Sequence, residues 1–293
     1  MTPKTRAGIL LMVLTCAVFA AQDGLSRHLA DRYGVFMVVT VRFWFLAAFV
    51  ILLTRARTGS LRAVRSARPG LQILRGLLLA GEVSVMVWAF TLLGLAESHA
   101  VFAVSPLLVA ALSGPLLGER VGWRRWAAIG AGFAGVLLIL SPSDGVVDPW
   151  AAVPLLSAAM WALYGLLTRL AARHDPAATS LFWTGVVGAI AMTPLGLWTW
   201  SPMTAPDWGL MAALCVTAAV AHWLLIKAYE LAEASVLQPF AFLQLVFASA
   251  IGVTVFGETV AANVALGAAV VVLAGVFTLW RERRVRLARG SPP

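Results

Sequence analysis

The sequence predicts an all-α polytopic membrane protein with ten transmembrane helices, arranged as two inverted five-helix repeats. Of its 293 residues, 61% are hydrophobic and only 12% are charged, whereas soluble domains carry roughly 25% charged residues. The apolar residues also cluster in runs of about twenty, the length that crosses a hydrocarbon core of about 30 Å. A third observation is that similar segments recur five predicted spans apart, as repeat proteins do.

Ten apolar runs separated by short polar or basic segments define the predicted spans. Each run is long enough to cross most of the membrane as a helix. Prolines inside several runs are tolerated where neighbouring groups or cavity water satisfy the freed backbone. We expect the spans at 8–29, 34–54, 71–94, 98–118, 124–141, 150–171, 178–200, 207–227, 234–256 and 262–280.

Basic residues lie almost entirely on one side of the predicted membrane. If the first span starts in the cytoplasm, the loop 55–68 and the tail 281–289 are cytoplasmic, and the opposite side carries only Arg27 and Arg32. This bias predicts that both termini are cytoplasmic. The net charge of +9 is explained by the same placement, so we do not expect nucleic acid as a partner.

The two halves of the chain resemble each other. V-F-A-A-Q-D-G-L-S-R at Val18–Arg27 aligns with M-W-A-L-Y-G-L-L-T-R at Met160–Arg169, and the L-A-E at Leu95 aligns with that at Leu231. Five spans separate each residue from its counterpart. Because five is odd, the two copies must cross the membrane in opposite directions. Inverted repeats of this kind are typical of secondary transporters, which bind substrate between the repeats near the midplane.

The repeats set the domain boundaries. We assign residues 7–141 to the first five-span unit, 150–281 to the second, and 282–293 to a basic cytoplasmic tail. Spans 5 and 10 are rich in small residues, with G-A-G-F-A-G at Gly130 and G-A-A-V-V-V-L-A-G at Gly267. Small residues let helices approach closely, so these spans form either a packing rim or a dimer contact. Monomer and homodimer therefore both stay open.

Charged residues within spans are costly and are functional candidates by default. Asp23 and Arg42 lie at similar predicted depths in neighbouring spans, so we expect them to pair. That pair is either a gate or substrate anchor, or a structural ion pair. Glu82 lies near mid-membrane and is either a proton carrier or the partner of Arg75 or Arg42.

Polar and aromatic residues complete the predicted site. His222 is deep in span 8 and could titrate near neutral pH, although a lone histidine there also suits packing. The amides of Gln238 and Gln244 suit a polar ligand, and Trp161 and Tyr164 could stack on a planar one or face lipid. The predicted substrate-binding or gating residues are Gln22, Asp23, Arg42, Glu82, Trp161, Tyr164, Trp183, His222, Gln238 and Gln244.

Two further features of the sequence limit the function classes. Cys16 and Cys215 lie within spans, so neither a disulfide framework nor a metal cluster is expected. No protease, hydrolase or phosphate-binding motif is present, so we expect no enzyme activity, no cofactor and no self-contained ATP-driven pump. Glu119 and Glu258, each preceded by glycine at a span end, are interpreted as structural helix-end residues.

Long motifs in both halves resemble the EamA-type branch of the drug/metabolite transporter superfamily. The resemblance rests on P-L-L-V-A-A-L-S-G-P-L-L-G-E-R-V-G-W-R-R-W at Pro106–Trp126, on Ala234–Glu258, and on Met160–Arg169. It implies a secondary transporter of the bacterial inner membrane that moves a small metabolite, driven by a proton or other gradient. Uptake of riboflavin or S-adenosylmethionine is the leading expectation, and export of amino acids or metabolites is the alternative. A membrane-embedded enzyme or a structural subunit are the competing classes.

Overall fold

The computed structural model describes residues 3–60, 64–117, 123–139, 149–231, 237 and 240–288. Within these ranges the chain forms ten α-helices and no strand, which confirms the predicted all-α class. A short 3-10 turn, Pro149–Ala151, precedes α6. The helices are α1 (Pro3–Tyr33), α2 (Val35–Thr58), α3 (Pro69–Phe102), α4 (Ser105–Leu117), α5 (Trp123–Ile139), α6 (Ala152–Ala171), α7 (Ala177–Trp198), α8 (Ala205–Leu231), α9 (Leu243–Phe256) and α10 (Ala262–Ala288).

Helix length and composition agree with a polytopic membrane protein. In the described part of the chain, six helices are long and apolar enough to cross a membrane, and they lie in α1, α2, α3, α6, α7 and α8. Three shorter apolar helices, Trp126–Ile139, Leu243–Phe256 and Ala262–Phe277, lie in α5, α9 and α10. Large apolar side chains stay exposed along these helices, as expected where lipid rather than protein covers them.

Successive long helices run in alternating directions between two faces. We call the face where α1 begins and α10 ends the terminal face, and the face where α1 ends the far face. The contacts between α3 and α6 illustrate the alternation, because Arg75 bonds Thr168 whereas Glu82, further along α3, bonds Ser157. The two helices are therefore antiparallel.

The chain reverses direction inside α3. Gly94 has φ 83° and ψ 177°, a backbone conformation essentially confined to glycine. The rings of Phe90 and His99 stack with centroids 5.3 Å apart, whereas nine residues of straight helix span about 13.5 Å. Gly94 is thus a turn at the far face, joining an ascending arm (69–93) to a descending arm (95–102) that continues towards α4.

Four helix pairs pack most extensively: α1 with α8, α3 with α6, α2 with α7, and α5 with α10. In the α2–α7 pair, the Thr40 hydroxyl donates to the Met192 carbonyl at 2.8 Å and the Trp44 indole donates to Thr193 at 2.8 Å. In the α5–α10 pair, a Cβ added to Gly135 would lie 2.9 Å from the Gly267 carbonyl. The small residues of predicted spans 5 and 10 therefore allow close packing inside one chain, and a dimer contact stays a prediction.

Candidate functional site

Polar side chains from three helices meet at Asp23 in α1. The carboxylate of Asp23 lies 3.1 Å from Nε2 of His99 on the descending arm of α3 and accepts a hydrogen bond of 3.2 Å from Nε2 of Gln244 in α9. Asp23 and Gln244 are 221 residues apart in sequence, so residues of both predicted repeats form this cluster. We call Asp23, His99 and Gln244 the central polar cluster.

Arg42 in α2 does not pair with Asp23 as expected. Its Nη1 instead donates to the Ser26 hydroxyl at 3.3 Å, about one helical turn from Asp23 towards the far face. Among the described residues the structure contains no ion pair between Asp23 and Arg42, and the predicted direct pair is wrong. His99 and Gln244 both contact Oδ2 of Asp23, whereas Arg42 bonds Ser26.

Glu82 lies on the ascending arm of α3, where its side chain is 4% exposed. Its Oε1 accepts a hydrogen bond of 2.8 Å from the Ser157 hydroxyl of α6. The predicted alternative in which Arg75 pairs with Glu82 is wrong, because the Arg75 guanidinium donates to Thr168 at 3.0 Å and to the Gln72 amide oxygen. In the described structure Glu82 is thus a buried carboxyl group held by a neutral hydroxyl.

Aromatic rings connect the central region to Arg75. The rings of Phe102 and Trp161 lie 6.3 Å apart, and those of Trp161 and Tyr164 lie 5.8 Å apart. The guanidinium carbon of Arg75 lies 5.1 Å from the centre of the Tyr164 ring, within cation–π range. We call Phe102, Trp161 and Tyr164 the aromatic series. Trp161 is 41% exposed, so protein covers this side chain only in part.

Two buried polar atoms beside the central polar cluster lack a hydrogen-bond partner within the described part of the chain. They are Oε1 of Gln22 and Oγ of Ser98, each adjacent in sequence to a cluster member. Buried polar groups are nearly always paired in native proteins, so an unpaired acceptor next to charged groups indicates a place for water or ligand. This observation supports the inclusion of Gln22 in the predicted site.

The other predicted residues fall elsewhere. Trp183 lies towards the terminal face, where its indole donates to the Val64 carbonyl at 3.0 Å and holds the loop between α2 and α3. Gln238 and the side chain of His222 lie outside the described residues. Of the ten predicted residues, the structure places Asp23 and Gln244 in direct contact, and Trp161 and Tyr164 in ring contact.

Sequence reasoning missed His99 and a second carboxylate, Asp175. His99 was visible only as part of the L-A-E-S-H motif, and its partner Asp23 is 76 residues away. Asp175, in the loop between α6 and α7, accepts hydrogen bonds from the Ala67 amide at 2.9 Å, from Gln72 at 2.7 Å and from Ser66. Burial alone would raise the pKa of Asp175, but the hydrogen bonds from Gln72, Ser66 and Ala67 lower that pKa to below its ordinary value.

Comparison with known proteins identifies the family of the chain. The model of the EamA-like transporter family matches it twice, at residues 6–141 and 149–280. A riboflavin transporter of Brucella anthropi is 29% identical over 92% of this chain and 98% of its own, and one of Rhizobium johnstonii is 31% identical over 94% and 92%. An S-adenosylmethionine uptake transporter of Rickettsia prowazekii is 24% identical over 94% of both chains.

A solved crystal structure supports the fold independently. It superposes with a TM-score of 0.63 over 96% of this chain and 98% of its own, at 19% sequence identity. At that identity the likeness shows the shared fold alone. The apolar helices and the bacterial relatives together make the chain a multi-pass inner-membrane protein. Because the two family matches cover nearly the whole length, the chain belongs to the EamA-like transporter family.

Proposed function

We propose that this transporter carries out secondary uptake of a planar, riboflavin-like metabolite across the inner membrane by alternating access. The observation that carries the proposal is the arrangement of the central polar cluster beside the aromatic series. A planar heterocycle needs a ring face for stacking and a few convergent polar groups for orientation, and such pockets are typical of small-molecule sites. The Trp161 face and the amide of Gln244 supply one of each.

Alternating access follows from the proposed inverted repeats. Exchanging the two halves maps α1 onto α6, α3 onto α8, α2 onto α7 and α5 onto α10. The α1–α8 and α3–α6 contacts then exchange with each other, whereas the α2–α7 and α5–α10 contacts map onto themselves. The four most extensive helix pairs thus agree with a two-fold relation between the halves, which supports rocking of one unit against the other around a central site.

The names of the relatives favour riboflavin over other substrates. Relatives named riboflavin transporter reach 29–31% identity, whereas those named S-adenosylmethionine uptake transporter are 24% identical. S-adenosylmethionine is the second candidate, because it carries a sulfonium cation that the Asp23 and Glu82 carboxylates could attract. Export is also represented, since a pseudopaline exporter of Pseudomonas aeruginosa is 26% identical over 277 residues.

We also propose that the terminal face is cytoplasmic. The far-face arginines are both paired, because Arg27 bonds Glu258 and Arg32 lies 3.3 Å from Asp207. The carboxylates of Glu258 and Asp207 therefore largely neutralise the charges of these two arginines. The described basic residues Arg55, Arg57, Arg65 and Arg68, and the C-terminal end of α10, lie towards the terminal face, and such an excess favours the cytoplasmic side.

Proteoliposome uptake tests the substrate assignment. Purified protein is reconstituted, and the uptake of labelled riboflavin, S-adenosylmethionine and a neutral amino acid is compared with and without an imposed pH gradient. We expect saturable riboflavin uptake that unlabelled riboflavin competes away. Uptake of S-adenosylmethionine alone would move the assignment to the second candidate, and flux of the amino acid alone would contradict both.

Glu82 is the proposed proton carrier, and Glu82→Gln tests it. Glutamine keeps the size of the side chain and an oxygen that can accept from Ser157, but it cannot bind and release a proton. We expect riboflavin exchange at equal pH to persist and acceleration by a pH gradient to disappear. Ser157→Ala is the matched control, because it removes the same hydrogen bond and leaves the titratable group. Full acceleration in Glu82→Gln would show that the proton is carried elsewhere.

A further inference from the structure

Glu258 makes more contacts than a helix-end residue requires. It lies in the turn between α9 and α10 at the far face, where its Oε1 accepts from the Leu95 amide at 2.7 Å and its Oε2 accepts from the Ala96 amide at 3.0 Å. Nη1 of Arg27 in α1 also donates to this carboxylate. A carboxylate at the start of a helix is stabilised by free amide donors and by the helix dipole, and here that helix is the descending arm of α3.

The site around this carboxylate is shaped by two glycines. A Cβ on Gly94 or on Gly252 would overlap the Glu258 side chain. Gly94 also provides the reversal that leaves the first amides of the descending arm without helical acceptors. The carboxylate thus enters a fitted socket formed by the α3 turn on one side and α9 on the other. We call Glu258, Arg27 and the amides of Leu95 and Ala96 the far-face latch.

The latch joins the two halves directly above the candidate site. Arg27, Leu95 and Ala96 belong to the first predicted repeat and Glu258 to the second. His99 lies three residues beyond Ala96 on the same arm and contacts Asp23, so about one helical turn separates the latch from the central polar cluster. A path between the halves through the far face would therefore run beside this contact.

The latch carboxylate is open to water on its outer side. The Glu258 side chain is 12% exposed, and a cleft of about 260 Å³ lined by Glu97, Glu258, Thr259 and neighbouring apolar residues opens onto it. A hydrated carboxylate can exchange its protein donors for water at small net cost, unlike one sealed in a dry interior. The contact is therefore suited to being made and broken repeatedly.

From this geometry we propose that Glu258 is the gating residue of the far face. Its carboxylate holds the α3 turn against the α9–α10 turn in the closed state, and it leaves that socket when the path opens towards the far side. The inference rests on the proposed alternating-access function and adds the residue that controls one of the two openings.

Thiol labelling tests the gate without any substrate. Cys16 and Cys215 are replaced by alanine, and Ser98, which is fully buried one turn below the latch, is changed to cysteine as the reporter. The protein in nanodiscs is treated with a water-soluble maleimide. We expect Glu258→Gln to raise the labelling rate of the reporter about tenfold, a shift of about 1.4 kcal/mol in the opening equilibrium. Thr259→Ala, on the same cleft, should leave the rate unchanged.

A second reporter separates gating from general loosening. Thr179 is buried in the first turn of α7 at the terminal face, and Thr179→Cys reports on that side. Its labelling should stay constant or slow in Glu258→Gln. If both reporters label faster, or if neither does, Glu258 is not a gate. These outcomes do not depend on which metabolite is carried, so an incorrect substrate assignment would show only in the uptake assay.

A charge swap distinguishes the latch from a simple ion pair. In the double variant Arg27→Glu/Glu258→Arg the two charges still attract, but arginine offers no acceptor to the Leu95 and Ala96 amides. We expect the swap to label as fast as Glu258→Gln. Restoration of the slow rate of the parent would show that the ion pair alone closes the path, and it would overturn the role proposed for the α3 turn.

Discussion

The far-face latch and the Asp175 contacts at the terminal face are both built on a carboxylate that accepts hydrogen bonds, but we assign them different roles. In each, a carboxylate from the second half accepts backbone and side-chain donors from the first half. Glu258 bonds the Leu95 and Ala96 amides and Arg27, whereas Asp175 bonds the Ala67 amide, Ser66 and Gln72. We call Asp175 with its three donors the terminal-face clamp.

The two sites differ in water access and in how an arginine takes part. Asp175 is 6% exposed and reaches Arg75 only through the Gln72 side chain, which donates to the carboxylate and accepts from the guanidinium. Glu258 bonds its arginine directly beside a water-accessible cleft. Breaking the clamp is costly because it leaves the buried Gln72 amide, which also bonds the buried Arg75, short of an acceptor. We infer that the clamp stabilises the fold whereas the latch controls a movement.

The largest expected difference between the two sites is in stability. Asp175→Ala removes the acceptor of three donors and should lower the free energy of unfolding by about 2 kcal/mol, because the Gln72 amide is fully buried and a buried donor left without a partner costs about 1–3 kcal/mol. Glu258→Gln should cost less, about 1 kcal/mol, since the glutamine oxygen can still accept from one of the Leu95 and Ala96 amides. Unfolding of the purified variants in mixed micelles measures both.

Ser180→Ala is the matched control for the clamp. The Ser180 hydroxyl accepts from the same Gln72 amide at 3.1 Å, so its removal takes one bond and leaves Asp175 in place. We expect a loss of about 1 kcal/mol. Equal destabilisation by Asp175→Ala and Glu258→Gln would remove the distinction between clamp and latch.

Alanine substitutions at two far-face glycines test whether the socket around Glu258 matters, because the backbone strain should be similar at both. Gly34 between α1 and α2 has φ 80° and ψ 151°, close to the φ 83° and ψ 177° of Gly94. Alanine at either position should cost about 1–3 kcal/mol in backbone strain. Only at Gly94 does the added Cβ meet the Glu258 carboxylate, because nothing lies within 4 Å at Gly34.

The two alanine variants should therefore differ in the labelling rate of the reporter. Gly94→Ala displaces the carboxylate and should label the Ser98→Cys reporter about as fast as Glu258→Gln does, roughly tenfold above the parent. Gly34→Ala should melt earlier and keep the slow labelling rate. If both variants label fast, the reporter is sensitive to far-face strain in general and the socket has no special role.

The elements of the fold could be predicted from sequence because hydrophobicity alone sets where helices cross a membrane. The predicted end of span 3 at residue 94 coincides with the Gly94 turn, and the predicted span 178–200 matches α7. Both boundaries follow from local composition. The terminal helices extend further than predicted, because α1 continues to Tyr33 with polar residues that bond other helices.

Contacts between helices could not be predicted in the same way. Whether Asp23 meets Arg42 or His99 depends on the rotation of each helix about its axis, and apolar composition all around a span leaves that rotation undefined. The partners of Glu258 also depend on the reversal at Gly94, which brings Leu95 within 2.7 Å although it is 163 residues away. Similar depth made Asp23 and Arg42 plausible partners, but depth does not determine which faces meet.

The smallest predicted effect is the acid sensitivity of the terminal-face clamp. Because the folded pKa of Asp175 is lowered, its ionised form stabilises the fold above the unfolded pKa of about 3.9, and this contribution is lost as pH falls towards the folded pKa. Asp175→Asn has no such group to protonate. The stability difference between parent and Asp175→Asn should therefore be constant from pH 7 to about 5 and should shrink below about pH 4. Melting temperatures measured across this range test it. A difference that stays constant to pH 3 would mean that the hydrogen bonds of the clamp do not depend on the charge of Asp175, and that its stability comes from packing of the two loops.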